Sequence, residues 1–170
     1  MVKTANGVTF KGKPLTLIGE LPAVGQPAPD AELVKTDMST ARLRDYRGYK
    51  LVITSVPSLD TSVCDMETRR FDEVAGNLGQ DVKILVVSVD LPFAQSRWCG
   101  AAGVSHVETL SDHRDAAFGK AYGVLIQELR LLARAVFLVD AQGRLRYRQL
   151  VDDISHEPDY DEVLEAIKGL

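Results

Sequence analysis

Cysteine is scarce in this chain: its 170 residues hold two, Cys64 and Cys99. Two thiols are too few for a disulfide-framework scaffold or a zinc finger, and they leave room for a single redox pair. Long apolar runs are also missing. Stretches such as Ala135–Val139 fall far short of the roughly 20 residues that span a bilayer, so no membrane is expected as a partner. Positive charge is not in excess, because 20 Lys and Arg stand against 24 Asp and Glu, a net of −4. That balance also disfavours nucleic acid, which demands clustered positive charge. No G-x-G-x-x-G or G-x-x-x-x-G-K-S/T phosphate cradle occurs, and no G-x-S-x-G elbow or H-E-x-x-H helix. His106, His113 and His156 are scattered and keep no ligand spacing with either cysteine, so no metal site is expected. The segment Met1–Gly7 lacks the apolar core of a secretory signal. The expected compartment is the cytoplasm, whose reducing conditions disfavour a structural disulfide and tolerate a catalytic or sensing one.

The remaining composition, 45% hydrophobic and 26% charged, is that of an ordinary globular chain with one core, a single domain over residues 1–170. Val8–Phe10 and Leu15–Ile18 read as a hairpin around Lys11-Gly12-Lys13-Pro14. Leu21–Asp30, rich in proline, runs extended as a connector. Leu51–Val56 and Val82–Val89 are continuous apolar strands of the buried kind. Between them Phe71, Val74, Ala75 and Leu78 recur at helical spacing. Ala94–Trp98 reads as a short helix, Val107–Leu110 as a short strand, and Asp115–Tyr122 as a helix stopped by Gly123. Ala135–Val139 and Leu145–Leu150 pair about Asp140–Gly143, and Asp161–Lys168 closes the chain as a helix. Such alternation predicts an α/β fold with a mixed sheet.

Cys64 falls between a buried strand and an amphipathic helix. Asp60, Thr61 and Ser62 are all good N-cap types, which places Cys64 in or near the first turn. There the unpaired N–H groups and the positive end of the helix favour a thiolate. Phe71, two turns on, puts Cys64 near the inward stripe. A shielded thiol aimed at backbone donors is a candidate nucleophile. The same place suits a buried cysteine acting as a small hydrophobe, the commoner fate of a lone one. Asp65 adds negative charge nearby. Cys99 is expected at the end of a short helix just before Gly100. Its distance along the chain from Cys64 excludes a C-x-x-C motif and suits adjacent strand–helix units. Bridging would need Cα atoms within about 7 Å. Trp98 reads as a packing residue, and Asp152-Asp153 with Asp159–Glu165 as a solvated acidic rim.

Pro57-x-x-x-Thr61-x-x-Cys64 resembles the active-site signature of the peroxiredoxins. The run Asp90–Cys99 is similar to the resolving-cysteine segment of the atypical two-cysteine subgroup, the bacterial thiol peroxidases. Ala133–Val136, Gln149–Asp152 and Glu157–Tyr160 extend the likeness over nearly the whole chain. The resemblance implies a thioredoxin-like fold, with a central mixed β-sheet flanked by helices and an N-terminal β-hairpin, and a homodimer. It implies reduction of hydrogen peroxide and organic (alkyl or lipid) hydroperoxides, in antioxidant defence. By motif position Cys64 would be the peroxidatic thiolate and Cys99 the resolving thiol, joined as an intramolecular disulfide. Thr61 would hydrogen-bond thiolate and peroxide, Pro57 would shield the site, and Arg134 matches the family's active-site arginine. Thioredoxin would be the reductant, with no cofactor or metal. The segment Gly123–Leu132 departs from the pattern by lacking the Gly/Pro turn of some members. A non-enzymatic redox sensor would use the same sulfenic acid, whereas a protein-disulfide reductase is disfavoured by the missing C-x-x-C.

Overall fold

Lys11 and Gly12 both take positive φ, 50° and 81°, as the two-residue turn of a right-twisted hairpin requires. They join β1 (Lys3–Phe10) to β2 (Lys13–Ile18), the expected hairpin. The computed structural model describes residues 1–170. Two very short strands, β3 (Glu32–Val34) and β4 (Thr40–Arg42), follow, and a 3-10 turn at Leu43–Tyr46 leads into β5 (Lys50–Ser55). Then come α1 (Ser62–Gly76), β6 (Val82–Ser88), α2 (Pro92–Ala102), β7 (Val107–Ser111) and α3 (Ala117–Ala121). The chain ends with β8 (Leu125–Ile126), β9 (Ala135–Val139), β10 (Leu145–Leu150) and α4 (Tyr160–Lys168).

Seven strands form the expected mixed sheet, in the order β10-β9-β5-β6-β7-β3-β4. β5, β6 and β7 run parallel, and β9 lies antiparallel to β5. Alternate residues of these strands serve two cores. Leu51, Ile53, Leu85, Val87 and Phe137 face α3 and the hairpin. Val52, Ile84, Val136 and Leu138 face Phe71 of α1 and Val163 and Ile167 of α4. Each such buried side chain contributes about 1.5–3 kcal/mol. The Gly123–Leu132 segment does not hang free. It supplies β8, which pairs with β2, and its Glu128 carboxylate accepts from the Thr16 N–H. No helix is long and apolar enough to cross a membrane.

The structure corrects several expectations. α2 is twice the expected length and continues through Gly100 to a left-handed stop at Gly103, φ 69°. Cys99 is therefore inside the helix and not at its end. A helix tolerates glycine in its interior, and only Gly103 takes the αL turn that ends one. α3 is shorter than expected, because Ala116 takes φ 51°. Asp153 is not a solvated residue but a buried one, at 6% exposure.

Candidate active site

Thr61 is the N-cap of α1, so Cys64 is the third residue of the helix, inside its first turn as expected. Its side chain is fully buried against Val56, Leu59 and Val86, with Trp98 and Val107 at the margin. Of the two thiols this one faces a cation. β9 runs antiparallel to β5 with Ala135 opposite Ser55, which brings Arg134 beside the chain leaving β5. Arg134 Nη2 donates to Cys64 Sγ at 3.3 Å. A guanidinium in this position stabilises negative charge on the sulfur, and the surrounding apolar wall strengthens the interaction.

Arg134 is itself 1% exposed and is held by more than the sulfur. Nη1 pairs with Glu67 Oε2, and Nη2 also donates to the Ile154 carbonyl at 2.8 Å. Glu67 in turn accepts from the Thr54 hydroxyl. Burial pushes the Glu67 carboxyl above the ordinary range, against the pull of Arg134 and Thr54. Burial works against the Arg134 charge too, but Glu67 and Cys64 outweigh it and hold the guanidinium charged. Glu67, Thr54 and Ile154 were missed from the sequence. The signal for Glu67 was present: it lies three residues after Cys64 and four before Phe71, a carboxylate on the buried stripe that must have a partner.

Pro57 is buried at the mouth of the same loop. The Thr61 hydroxyl gives its proton to the Ser58 carbonyl (2.8 Å), which leaves its lone pairs unused. Asp90 anchors this loop by accepting from the Ser58 hydroxyl (2.7 Å) and the Leu59 N–H (2.8 Å), a role no motif announced.

Cys99 sits elsewhere, half-buried, with Sγ 3.6 Å from the Thr109 hydroxyl on β7. Burial pushes its thiol up, opposed by Thr109 and reinforced by Asp72. The thiols are separate but not remote. Cys64 packs on Val86 and Cys99 on Thr109, and these two residues are partners in the parallel β6–β7 ladder. Both thiols therefore lie over one face of the sheet, about one strand spacing (~4.8 Å) apart in their footing. Trp98 and its contacts stand at the boundary. Asp65 accepts from Trp98 Nε1 (2.9 Å) and from Arg69 Nε (2.8 Å), and Arg69 Nη1 donates to the Ala102 carbonyl (3.0 Å). Asp65 thus has its charge matched by Arg69 and is turned toward α2 rather than toward the sulfur.

A cleft of about 240 Å³ lies at the opposite end of β5, between Leu51, Tyr46 and Tyr122. It is lined by no cysteine. No group of three or more His, Cys, Asp or Glu is placed to hold a metal ion.

The chain is similar to known proteins over nearly its whole length. The family model described as Redoxin matches residues 23–164. A thiol peroxidase of Bacillus subtilis (strain 168) is 50% identical over 163 residues, covering 96% of this chain and 97% of that protein. A peroxiredoxin-like protein from Aquifex aeolicus superposes with a TM-score of 0.90 at 43% identity, covering 97% of each chain. A thiol peroxidase from Chromobacterium violaceum does so with a TM-score of 0.83 at 26% identity, covering 95% of each.

Proposed function

The chain belongs to the Redoxin family as a thiol peroxidase, and from that premise we propose that Cys64 reduces hydrogen peroxide and organic hydroperoxides, Cys99 resolves the product and thioredoxin returns the electrons. The observation that carries the reading is the Arg134 guanidinium 3.3 Å from a fully buried Cys64 sulfur. The thiolate attacks one peroxide oxygen, an S–O bond forms and the O–O bond breaks. Two electrons pass from sulfur to the peroxide, and the leaving oxygen departs with a proton as water or alcohol. Arg134 stabilises the charge on sulfur and then on the leaving oxygen. The Thr61 oxygen accepts the peroxide O–H, and Pro57 keeps water from the sulfur.

Cys64 is then a sulfenic acid. The Cys99 sulfur attacks it, the S–S bond forms, and the sulfenic oxygen leaves as water. The footing of both thiols on partnered residues of β6 and β7 supports this pairing, and the raised Cys99 thiol supports a resting partner rather than a second peroxidatic site. A dithiol, which we take to be thioredoxin, returns two electrons by exchange. This need for a reduced partner supports a cytoplasmic location. Leu91 and Phe93, 53% and 67% exposed beside the Asp90-anchored loop, supply an apolar surface for a homodimer.

The test is peroxide-dependent NADPH oxidation coupled through thioredoxin and its reductase, with hydrogen peroxide and an organic hydroperoxide compared. Cys64→Ser is expected to abolish turnover. Cys99→Ser is expected to retain the first oxidation and lose recycling. Robust turnover by Cys64→Ser sinks the proposal.

A further inference from the structure

We infer that the N-terminal hairpin is part of the thiol site, with Thr9 and Asp153 as positioning residues that hold the Ile154 carbonyl against Arg134. The inference rests on the reading of Arg134 as the group that supports charge on Cys64.

Arg134 Nη2 divides its two protons between the Cys64 sulfur (3.3 Å) and the Ile154 carbonyl (2.8 Å). A guanidinium is a rigid planar fork, so fixing one N–H fixes the direction of the other. The place of the Ile154 carbonyl therefore helps to set the aim of Arg134 at the sulfur. Ile154 belongs to neither a helix nor a strand. Its own N–H donates to the Thr9 carbonyl at 3.0 Å, and the Thr9 N–H donates to the Asp152 carbonyl at 2.8 Å. Thr9 thus runs as a short parallel bridge along the segment that carries Ile154.

The Asp153 carboxylate closes the joint. Oδ2 accepts from the Thr9 hydroxyl (2.6 Å) and from the N–H of Gly12 in the hairpin turn (3.1 Å). Oδ1 accepts from the Ser155 N–H (2.9 Å) and hydroxyl. Desolvation acts against the charge. The donors from Ser155, Thr9 and Gly12 overcome it and hold this carboxyl well below the usual range. One face of the 152–155 segment is fastened to the hairpin while the other meets Arg134. The hairpin packs on the far face of the sheet from α1, and the 152–155 segment joins it to Arg134.

Thr9→Val removes the hydroxyl at nearly constant volume, and Thr9→Ser restores it. The readouts are the single-turnover rate of Cys64 oxidation by hydrogen peroxide, the rate of Cys64 alkylation by iodoacetamide at neutral pH, and the thermal midpoint. Thr9→Val is expected to slow oxidation and alkylation together, about fivefold, the size of one hydrogen bond. Thr9→Ser is expected to recover both, and Asp153→Asn to fall in the same direction as Thr9→Val. A folded Thr9→Val that keeps the wild-type oxidation rate overturns the inference, as does a lowered midpoint with unchanged rates or a failure of Ser to rescue. Arg134→Lys separates the two claims. If it oxidises at the wild-type rate, the reading of Arg134 falls and takes the inference with it. If it is slow and Thr9→Val is not, the inference alone falls.

Discussion

Replacing Arg69 with alanine should speed the formation of the disulfide. Arg69 spans the two helices that carry the thiols. Its guanidinium donates to the Ala102 carbonyl at 3.0 Å and lies 5.7 Å from the Trp98 ring centroid. Trp98 and Ala102 bracket Cys99 on α2, so Cys99 cannot leave Thr109 for Cys64 without disturbing one or both. Arg69 is about half exposed, at 49%, which puts each contact at the low end of its range. A hydrogen bond and a cation–π contact of about 0.5–0.7 kcal/mol each give a total of about 1–1.4 kcal/mol. The ion pair to Asp65 lies within α1 and survives the opening, so it does not count. If α2 opens before sulfur meets sulfur, that energy leaves the barrier, and resolution accelerates by about five- to tenfold. Trp98 is the only tryptophan in the chain and sits at the moving boundary, so stopped-flow fluorescence follows both steps. The first phase, linear in peroxide, should be unchanged, and the second, independent of peroxide, should quicken. Less Cys64 should reach the sulfinic state under excess peroxide, by mass spectrometry, because resolution competes with a second oxidation. A second phase that is unchanged or slower in the folded variant refutes the argument.

Glu67→Gln keeps the shape of the buried pair and removes its negative charge, leaving Arg134 uncompensated. The expected loss of stability is about 3 kcal/mol by urea denaturation, and a loss under about 1 kcal/mol would contradict a working ion pair. Asp112 accepts from the Phe118 and Gly119 N–H groups at the start of α3, yet burial raises its carboxyl from 3.8 to about 6. The unfolded chain releases this proton first, so between those values the folded state binds more protons and rising pH erodes stability. Between about pH 4 and pH 7 the stability difference from Asp112→Asn should move toward the variant by about 2–3 kcal/mol, and a pH-independent difference would contradict it.

Local signals were legible wherever a single residue type carries a conformational demand. The cap residues around Thr61 set the start of α1, Gly12 set the hairpin turn and the apolar runs set β5 and β6. β3 and β4 left no trace, because three residues are too few to show a period of two. Gly100 and Gly103 look alike in sequence, and only packing decides which takes positive φ. Asp153 was misread because its partner Thr9 lies 144 positions away, where no local pattern reaches. The site divided in the same way. The family resemblance pointed to Cys64, Thr61, Pro57 and Arg134, whereas the contacts of Glu67, Asp90 and the Ile154 carbonyl depend on which strands lie side by side.

Under the proposed mechanism, protecting Cys64 and letting Cys99 reach it make opposite demands, and the build of α2 divides them along its length. The first half is fixed: Pro92 and Gln95 are buried, and Gln95 Nε2 donates to the Ser88 hydroxyl and the Leu110 carbonyl, both at 3.0 Å. The second half has no buried residue and is held by the Asp65–Arg69 grip on Trp98 and Ala102 and by Thr109 on Cys99. It also contains Gly100, which weakens a helix interior by roughly 1 kcal/mol relative to alanine. A helix pinned at its start and loose at its end unwinds from the end. Cys99 sits four residues past the last buried anchor, one turn into the loose half. The Asp90 anchor of the Cys64 loop lies before the fixed half and is spared by that motion. Cys64 can thus keep its buried contact with Arg134 while only the last turn of α2 gives way, and the strength of the Arg69 grip sets how readily it does so.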